Sequence, residues 1–155
     1  MFSDEKADSC IRMTIPSSPI LLPVIRSTVE KFCEQLGFDF RTAGQVVLAV
    51  DEGLSNIMRH GYGGNPTKPI EIELSPIPSL DAAKGLRVCL RDHGKTFDPV
   101  KVLSEKLPDP QKLSAGGLGV HIMITCMDRV DYQQAPGGGM QLTMIKFLPS
   151  ESKGS

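Results

Sequence analysis

The stretch AVDEGLSNIMRHGYGG, residues 49–64, decides how this chain is read. Asp39, ten residues upstream, is a natural helix N-cap, because its carboxylate can accept from an unpaired amide of the first turn. From there Val46, Val47, Val50, Leu54, Ile57 and Met58 recur at helical spacing, so an amphipathic helix is expected, ended by Gly61, Gly63 and Gly64. Glu52, Asn56 and His60 follow at four-residue intervals, along one edge beside the apolar stripe. A carboxylate one turn from a carboxamide can do two jobs together. The amide oxygen is a hard ligand for Mg²⁺, and the carboxylate can orient or deprotonate a nucleophile. Taken alone, the segment reads more simply as the wet side of a helix.

Outward from this helix the chain divides cleanly. Upstream, Cys10 to Ile15 alternates apolar and polar residues and predicts a short strand. Pro19 and Pro23 offer two starts for a first helix, whose apolar side carries Val24, Ile25, Val29, Phe32, Cys33 and Leu36 and whose stop is Gly37. Downstream, Ile70–Leu74 and Leu86–Leu90 read as strands, Val120–Met127 as a third helix, and Val130–Gln134 and Met140–Phe147 as closing strands linked through Pro136 to Gly139. Between Gly94 and Gly119 the chain is irregular, with room for one short helix near Val100; such loops are often lids. The pattern predicts an α+β fold, a two-layer sandwich with a mixed or antiparallel sheet and helices on one face. Residues 10–149 are expected to form one domain between polar tails at 1–9 and 150–155.

Composition removes several classes of function. With 155 residues, 17 Lys plus Arg against 18 Asp plus Glu and a formal charge of −1, no large field favours nucleic acid or an anionic membrane. Aromatics are 5% with no Trp, which leaves no stacking platform for single-stranded nucleic acid. No apolar leader follows MFSDEKADSC, and the apolar runs are too short to cross a bilayer, so a cytoplasmic protein is expected. Cys10, Cys33, Cys89 and Cys126 are scattered without zinc spacing and are read as reduced, mostly buried thiols.

Two further motifs carry chemistry. Asp92-His-Gly94 directly after a strand can be an ordinary turn; it can also aim a carboxylate at an exocyclic amine, with Gly94 letting a ring approach the backbone. Gly116-Gly-Leu-Gly119 leads into the third helix, where free N–H groups and the positive dipole end favour phosphate. Its spacing is neither the dinucleotide-binding fingerprint nor the P-loop.

The order of these motifs resembles the GHKL nucleotide-binding superfamily: Glu-x-x-x-Asn on a helix, Asp-x-Gly after a strand, Gly-x-Gly at a helix, and a glycine turn before a final strand. Asn56 to Tyr62 continuing from Glu52, Phe97-Asp-Pro99, and Gly117-Leu-Gly119 running on to Met127-Asp-Arg-Val130 are similar to the stand-alone branch of bacterial anti-sigma factors that are serine/threonine protein kinases. The resemblance spans about Asp39 to Leu148. It implies that ATP and Mg²⁺ are the cofactors and that Asn56 holds the Mg²⁺ bridging the phosphates. Glu52 is then the base or orienting group for an attacking serine hydroxyl. Asp92 bonds the adenine amine, Gly94 gives access to the ring, and Gly116, Gly117, Leu118 and Gly119 face the phosphates beneath a lid from Pro99 to Gly116. The implied partners are a STAS-fold antagonist, a sigma factor and a second copy of the chain in a homodimer, with Arg26 on the first helix as a partner contact.

The chain also departs from that pattern. Met140 follows Gly139 where relatives usually carry Thr, and no lid arginine stands beside Gly116, with Lys112 and Ser114 as substitutes. These departures leave room for a non-catalytic, ATP-gated binding module acting on a sigma factor or a two-component pathway. A slow stand-alone ATPase, with water in the place of serine, is a third reading.

Overall fold

The computed structural model describes residues 10–96 and 115–150. Five strands, β1 (Ile11–Pro16), β2 (Pro69–Ile77), β3 (Gly85–Arg91), β4 (Arg129–Gln134) and β5 (Met140–Phe147), form one sheet in the order β1-β2-β3-β5-β4. Every neighbouring pair is antiparallel, so the expected mixed or antiparallel sheet resolves to the antiparallel form. Alternation along the strands buries Ile70, Ile72 and Leu74 of β2, Leu86, Val88 and Leu90 of β3, and Leu142 and Met144 of β5 on one face. Three helices cover that face: α1 (Leu22–Leu36), α2 (Phe40–Asn56) and α3 (Ala115–Cys126). The architecture is α+β, and α2 lies in the middle of its layer, packed against both α1 and α3.

Local chemistry sets the ends of these elements. Both prolines at the first helix are used: Pro19 opens a 3-10 turn through Leu21, and Pro23 stands in the first turn of α1. Gly37 ends α1 at φ 97°. Asp39 caps α2 by accepting from the Thr42 amide at 2.7 Å. Val24, expected on the apolar side of α1, is instead 57% exposed, while Ile25, Val29, Cys33 and Leu36 are buried.

Two boundaries differ from the sequence reading. The α2 helix stops at Asn56 and passes into a π-helical turn over Ile57–Gly61. The third helix begins by Ala115 rather than Val120, so Gly116, Gly117, Leu118 and Gly119 lie within helical backbone, not in a turn ahead of it. Packing of α3 against α2 outweighs the poor helix propensity of three glycines, each about 1 kcal/mol below Ala. Of the four thiols, Cys33 and Cys126 are buried and Cys10 and Cys89 partly so, and none of them forms a disulfide among the described residues. The proposed tail 1–9, the short helix near Val100, Phe97-Asp-Pro99, Lys112, Ser114 and the lid up to residue 114 lie outside the described residues.

Candidate functional site

The site is built on the C-terminal half of α2. Gly53 lets this half settle on the sheet, because a Cβ there would come within 2.9 Å of Leu90 Cδ1 and Leu142 Cδ2. That approach carries Asn56 inward until it is 1% exposed, while Glu52, one turn earlier, keeps partial contact with solvent. The two side chains meet the opening of α3. A Cβ on Gly119 would stand 2.6 Å from Glu52 Oε2 and 3.5 Å from both terminal atoms of the Asn56 amide. Glycine at 119 thus leaves the Glu52 carboxylate its present place, and three of the predicted residues converge on one point. His60 does not join them: the π turn breaks the i, i+4, i+8 register and leaves His60 exposed.

Asn56 is buried with neither its amide oxygen nor its nitrogen in a well-formed hydrogen bond among the described residues. Its neighbour is Tyr132 of β4. Burial pushes the Tyr132 phenol up to about 12, the Asn56 amide pulls it back, and the charge of Asp92 adds to the rise. Tyr132 thus neighbours Asn56 and feels the charge of Asp92, and the pattern Arg-Val-Asp-Tyr gave no signal of it.

At the other end, Asp92 follows β3 and is 0% exposed. Its Oδ1 accepts from the Gly94 amide at 2.9 Å and from the Met140 amide at 3.4 Å. Its Oδ2 is buried and has no partner among the described residues. Burial holds the carboxyl above its ordinary range, and the two amides counter only part of that. Gly139, at φ +83°, lies directly against the Asp92 carbonyl, a position that admits no side chain. Met140 reaches Asp92 through its backbone, which also accepts from the Asp92 amide at 3.0 Å. The change from Thr to Met thus leaves the support of Asp92 intact.

The turn after Asp92 is stapled to the end of the π turn. Gly94 fits against the Gly61 carbonyl, and Lys95 N donates to that carbonyl at 2.8 Å. The Tyr62 hydroxyl donates to the Pro69 carbonyl at 2.5 Å and accepts from the His93 amide at 2.8 Å. A cavity of about 470 Å³ opens here, lined by Gly61, Tyr62, Lys68, His93, Gly94 and Lys95. A second cavity of about 490 Å³ lies against the sheet face opposite the helices, among Arg12, Glu71, Glu73, Arg87 and Arg91, and contains none of these site residues.

Orphaned buried polar atoms cost about 1–3 kcal/mol each and call for an explanation. Here, among the described residues, a carboxylate oxygen lacks a donor, and a carboxamide beside Tyr132 lacks a well-formed hydrogen bond and offers one neutral oxygen. That donor set fits a purine amine at one end and a hard cation with phosphates at the other. Arg26, the sequence-predicted partner contact, is already engaged: Nε lies 2.6 Å from Asp51 Oδ1 and Nη2 3.2 Å from Oδ2.

The profile of the histidine kinase-like ATPase domain family matches residues 15–146. The chain belongs to this family. Membership of an ATPase-domain family implies that the chain binds ATP. Among curated proteins it is similar to the serine-protein kinase RsbW of Bacillus licheniformis, with 28% identity over 152 residues covering 95% of this chain and 91% of that protein. The RsbW protein of Bacillus subtilis strain 168 is 27% identical over 146 residues, covering 91% of this chain and 87% of its own. Among solved structures, the SiaB–SiaC complex of Pseudomonas aeruginosa contains a chain of TM-score 0.66 at 14% identity, with 92% of this chain and 93% of that one covered. The RsbU and RsbW domains of a Mycobacterium tuberculosis protein give a TM-score of 0.63 at 16% identity, covering 90% of this chain and 32% of theirs. These two likenesses establish a shared fold. No helix among the described residues is long and apolar enough to cross a membrane.

Proposed function

We propose that this chain is an ATP-dependent serine/threonine protein kinase that phosphorylates a STAS-type antagonist and sequesters a sigma factor. One observation carries the reading: Glu52 and Asn56 converge at Gly119, where a Cβ would collide with the carboxylate. A base and a cation ligand set side by side suit attack by a hydroxyl on a metal-bound phosphate. The similarity to RsbW serine-protein kinases over most of both chains supports the acceptor being a protein serine.

In this reading Asn56 holds Mg²⁺ through its amide oxygen, and Asp92 Oδ2 accepts from the adenine amine. Gly94 keeps the adenine side open, and the backbone of Gly116, Gly117, Leu118 and Gly119 faces the phosphates. Bound MgATP supplies the phosphoryl group and charge neutralisation. Glu52 orients the incoming serine hydroxyl and takes its proton. A homodimer in the cytoplasm, built on one domain over residues 10–149, completes the proposal.

Purified protein incubated with MgATP and candidate STAS antagonists should yield phosphoserine on the antagonist, and Glu52→Gln should abolish it while retaining ATP. If nucleotide binds but no antagonist is phosphorylated, the kinase assignment fails and the ATP-gated binding module takes its place.

A further inference from the structure

Resting on the kinase reading above, we infer that Arg26 and Asp51 are positioning residues: their bridge sets the rotation of α2 and thereby aims Glu52. Arg26 projects from α1 and grips both carboxylate oxygens of Asp51 on α2, through Nε at 2.6 Å and Nη2 at 3.2 Å. Two parallel bonds from a planar guanidinium fix direction as well as distance, which one point charge does not. Among the described residues this is the one ion pair that joins α1 to α2. It sits over the apolar seam where Ile25 and Val29 meet Val47, Val50 and Leu54. The Asp51 side chain is 18% exposed and that of Arg26 47%, so the pair is partly solvated and its worth lies in direction more than in charge.

Asp51 and Glu52 are consecutive in α2, hence about 100° apart around its axis. Asp51 is held on the side of α1. Glu52 faces α3, where its Oε2 abuts Gly119 and any rotation of α2 changes the fit. A carboxylate about 6 Å from a helix axis moves about 1 Å for each ten degrees of rotation. Misplacement of a catalytic group by about 1 Å can cost about a hundredfold in rate. The seam beneath is close-packed, with Ile25, Val29, Val50 and Leu54 buried, and the forked bridge adds a directional constraint on top of it.

The test uses the full chain. Arg26→Ala and Asp51→Asn should each lower kcat for phosphoryl transfer about tenfold while the Kd for ATP stays within twofold. Arg26→Lys, which keeps the charge but not the fork, should fall between wild type and Arg26→Ala. The double variant should be no slower than the slower single one, because both remove the same bridge. Independently of activity, the Glu52 carboxyl-carbon NMR resonance of nucleotide-free protein should move in Arg26→Ala and return towards its wild-type position in Arg26→Lys. If Arg26→Ala does not fold at the assay temperature, Arg26→Lys and Asp51→Asn carry the comparison. A staple with no bearing on Glu52 lowers Tm but leaves kcat and that resonance unchanged, and this outcome overturns the inference. Additive losses in the double variant overturn it too. Wild-type protein that binds ATP yet transfers nothing defeats the kinase reading instead, and the resonance then decides the bridge by itself.

Discussion

Replacing Asp92 by Asn separates what the site costs the fold from what it gives the ligand. Asn keeps an oxygen for the Gly94 and Met140 amides, which now bond Oδ1 at 2.9 and 3.4 Å. It exchanges Oδ2, which has no partner among the described residues, for an NH₂ and removes a charge from a residue with no exposed surface. In the free protein the carboxyl is held above its ordinary 3.8 by burial. The stability contributed by a raised carboxyl is complete below the unfolded value and is lost as pH rises through the folded one. At neutral pH the buried charge is therefore a net cost, and Asp92→Asn should leave the Tm unchanged or higher. Binding moves the other way. A charge-assisted hydrogen bond to the adenine amine is worth about 1.5–3 kcal/mol, and Asn presents a donor to a donor. At 1.4 kcal/mol per tenfold, ATP affinity should drop about ten- to hundredfold. Wild-type affinity should also weaken as pH falls through the raised carboxyl value, in a window that begins above 3.8. Calorimetric titration with a non-hydrolysable ATP analogue and a thermal melt measure both halves. A change in Kd below threefold, or a Tm that falls together with affinity, refutes the assignment of Oδ2 as the adenine acceptor.

The remaining predictions concern the same site. Asn56→Leu replaces a buried amide that has no well-formed hydrogen bond among the described residues by an apolar group, so the free protein should be as stable or about 1 kcal/mol more stable in denaturant. The same variant should lose the tightening of ATP binding by Mg²⁺, read by titration with and without the cation. Gly119→Ala puts a methyl group 2.6 Å from Glu52 Oε2; the flexible carboxylate should swing aside, preserving the fold while phosphoryl transfer falls at least tenfold. Gly139→Ala forces a side chain into φ +83° and against the Asp92 backbone; it should cost about 2 kcal/mol or more in equilibrium unfolding and weaken ATP binding.

Rules that act over a few residues made much of the fold legible. Asp39 caps α2 because the donor it serves is three residues away, and Gly37 ends α1 for a similarly local reason. Alternation in Ile70–Leu74 and Leu86–Leu90 revealed which face is covered, because a strand repeats every two residues. Where distant segments decide, the reading drifted. Gly116 to Gly119 look like a turn by propensity and become helical through contact with α2, some sixty residues earlier. The π turn after Asn56 broke a spacing that had joined His60 to Glu52. Asp51 showed no signal at all, since its partner Arg26 lies on another helix.

The glycines show how a site can be legible in its chemistry and still illegible in its geometry. As letters in the sequence, Gly119 reads as a backbone N–H presented to phosphate and Gly139 as part of a glycine turn between the closing strands. In the fold both serve first as clearance: Gly119 makes room for Glu52 and Asn56, and Gly139 for the backbone of Asp92. Among the described residues, the polar groups these glycines admit include buried atoms without a well-formed hydrogen bond, both amide atoms of Asn56 and Oδ2 of Asp92. A folded chain that spends close packing on bringing unpaired groups together is more costly alone than with the molecule that pairs them. Stability gained on adding ATP should therefore depend on Asn56 and Asp92 together, whereas substitutions at Phe40 or Leu80, exposed and outside this cluster, should leave that gain unchanged.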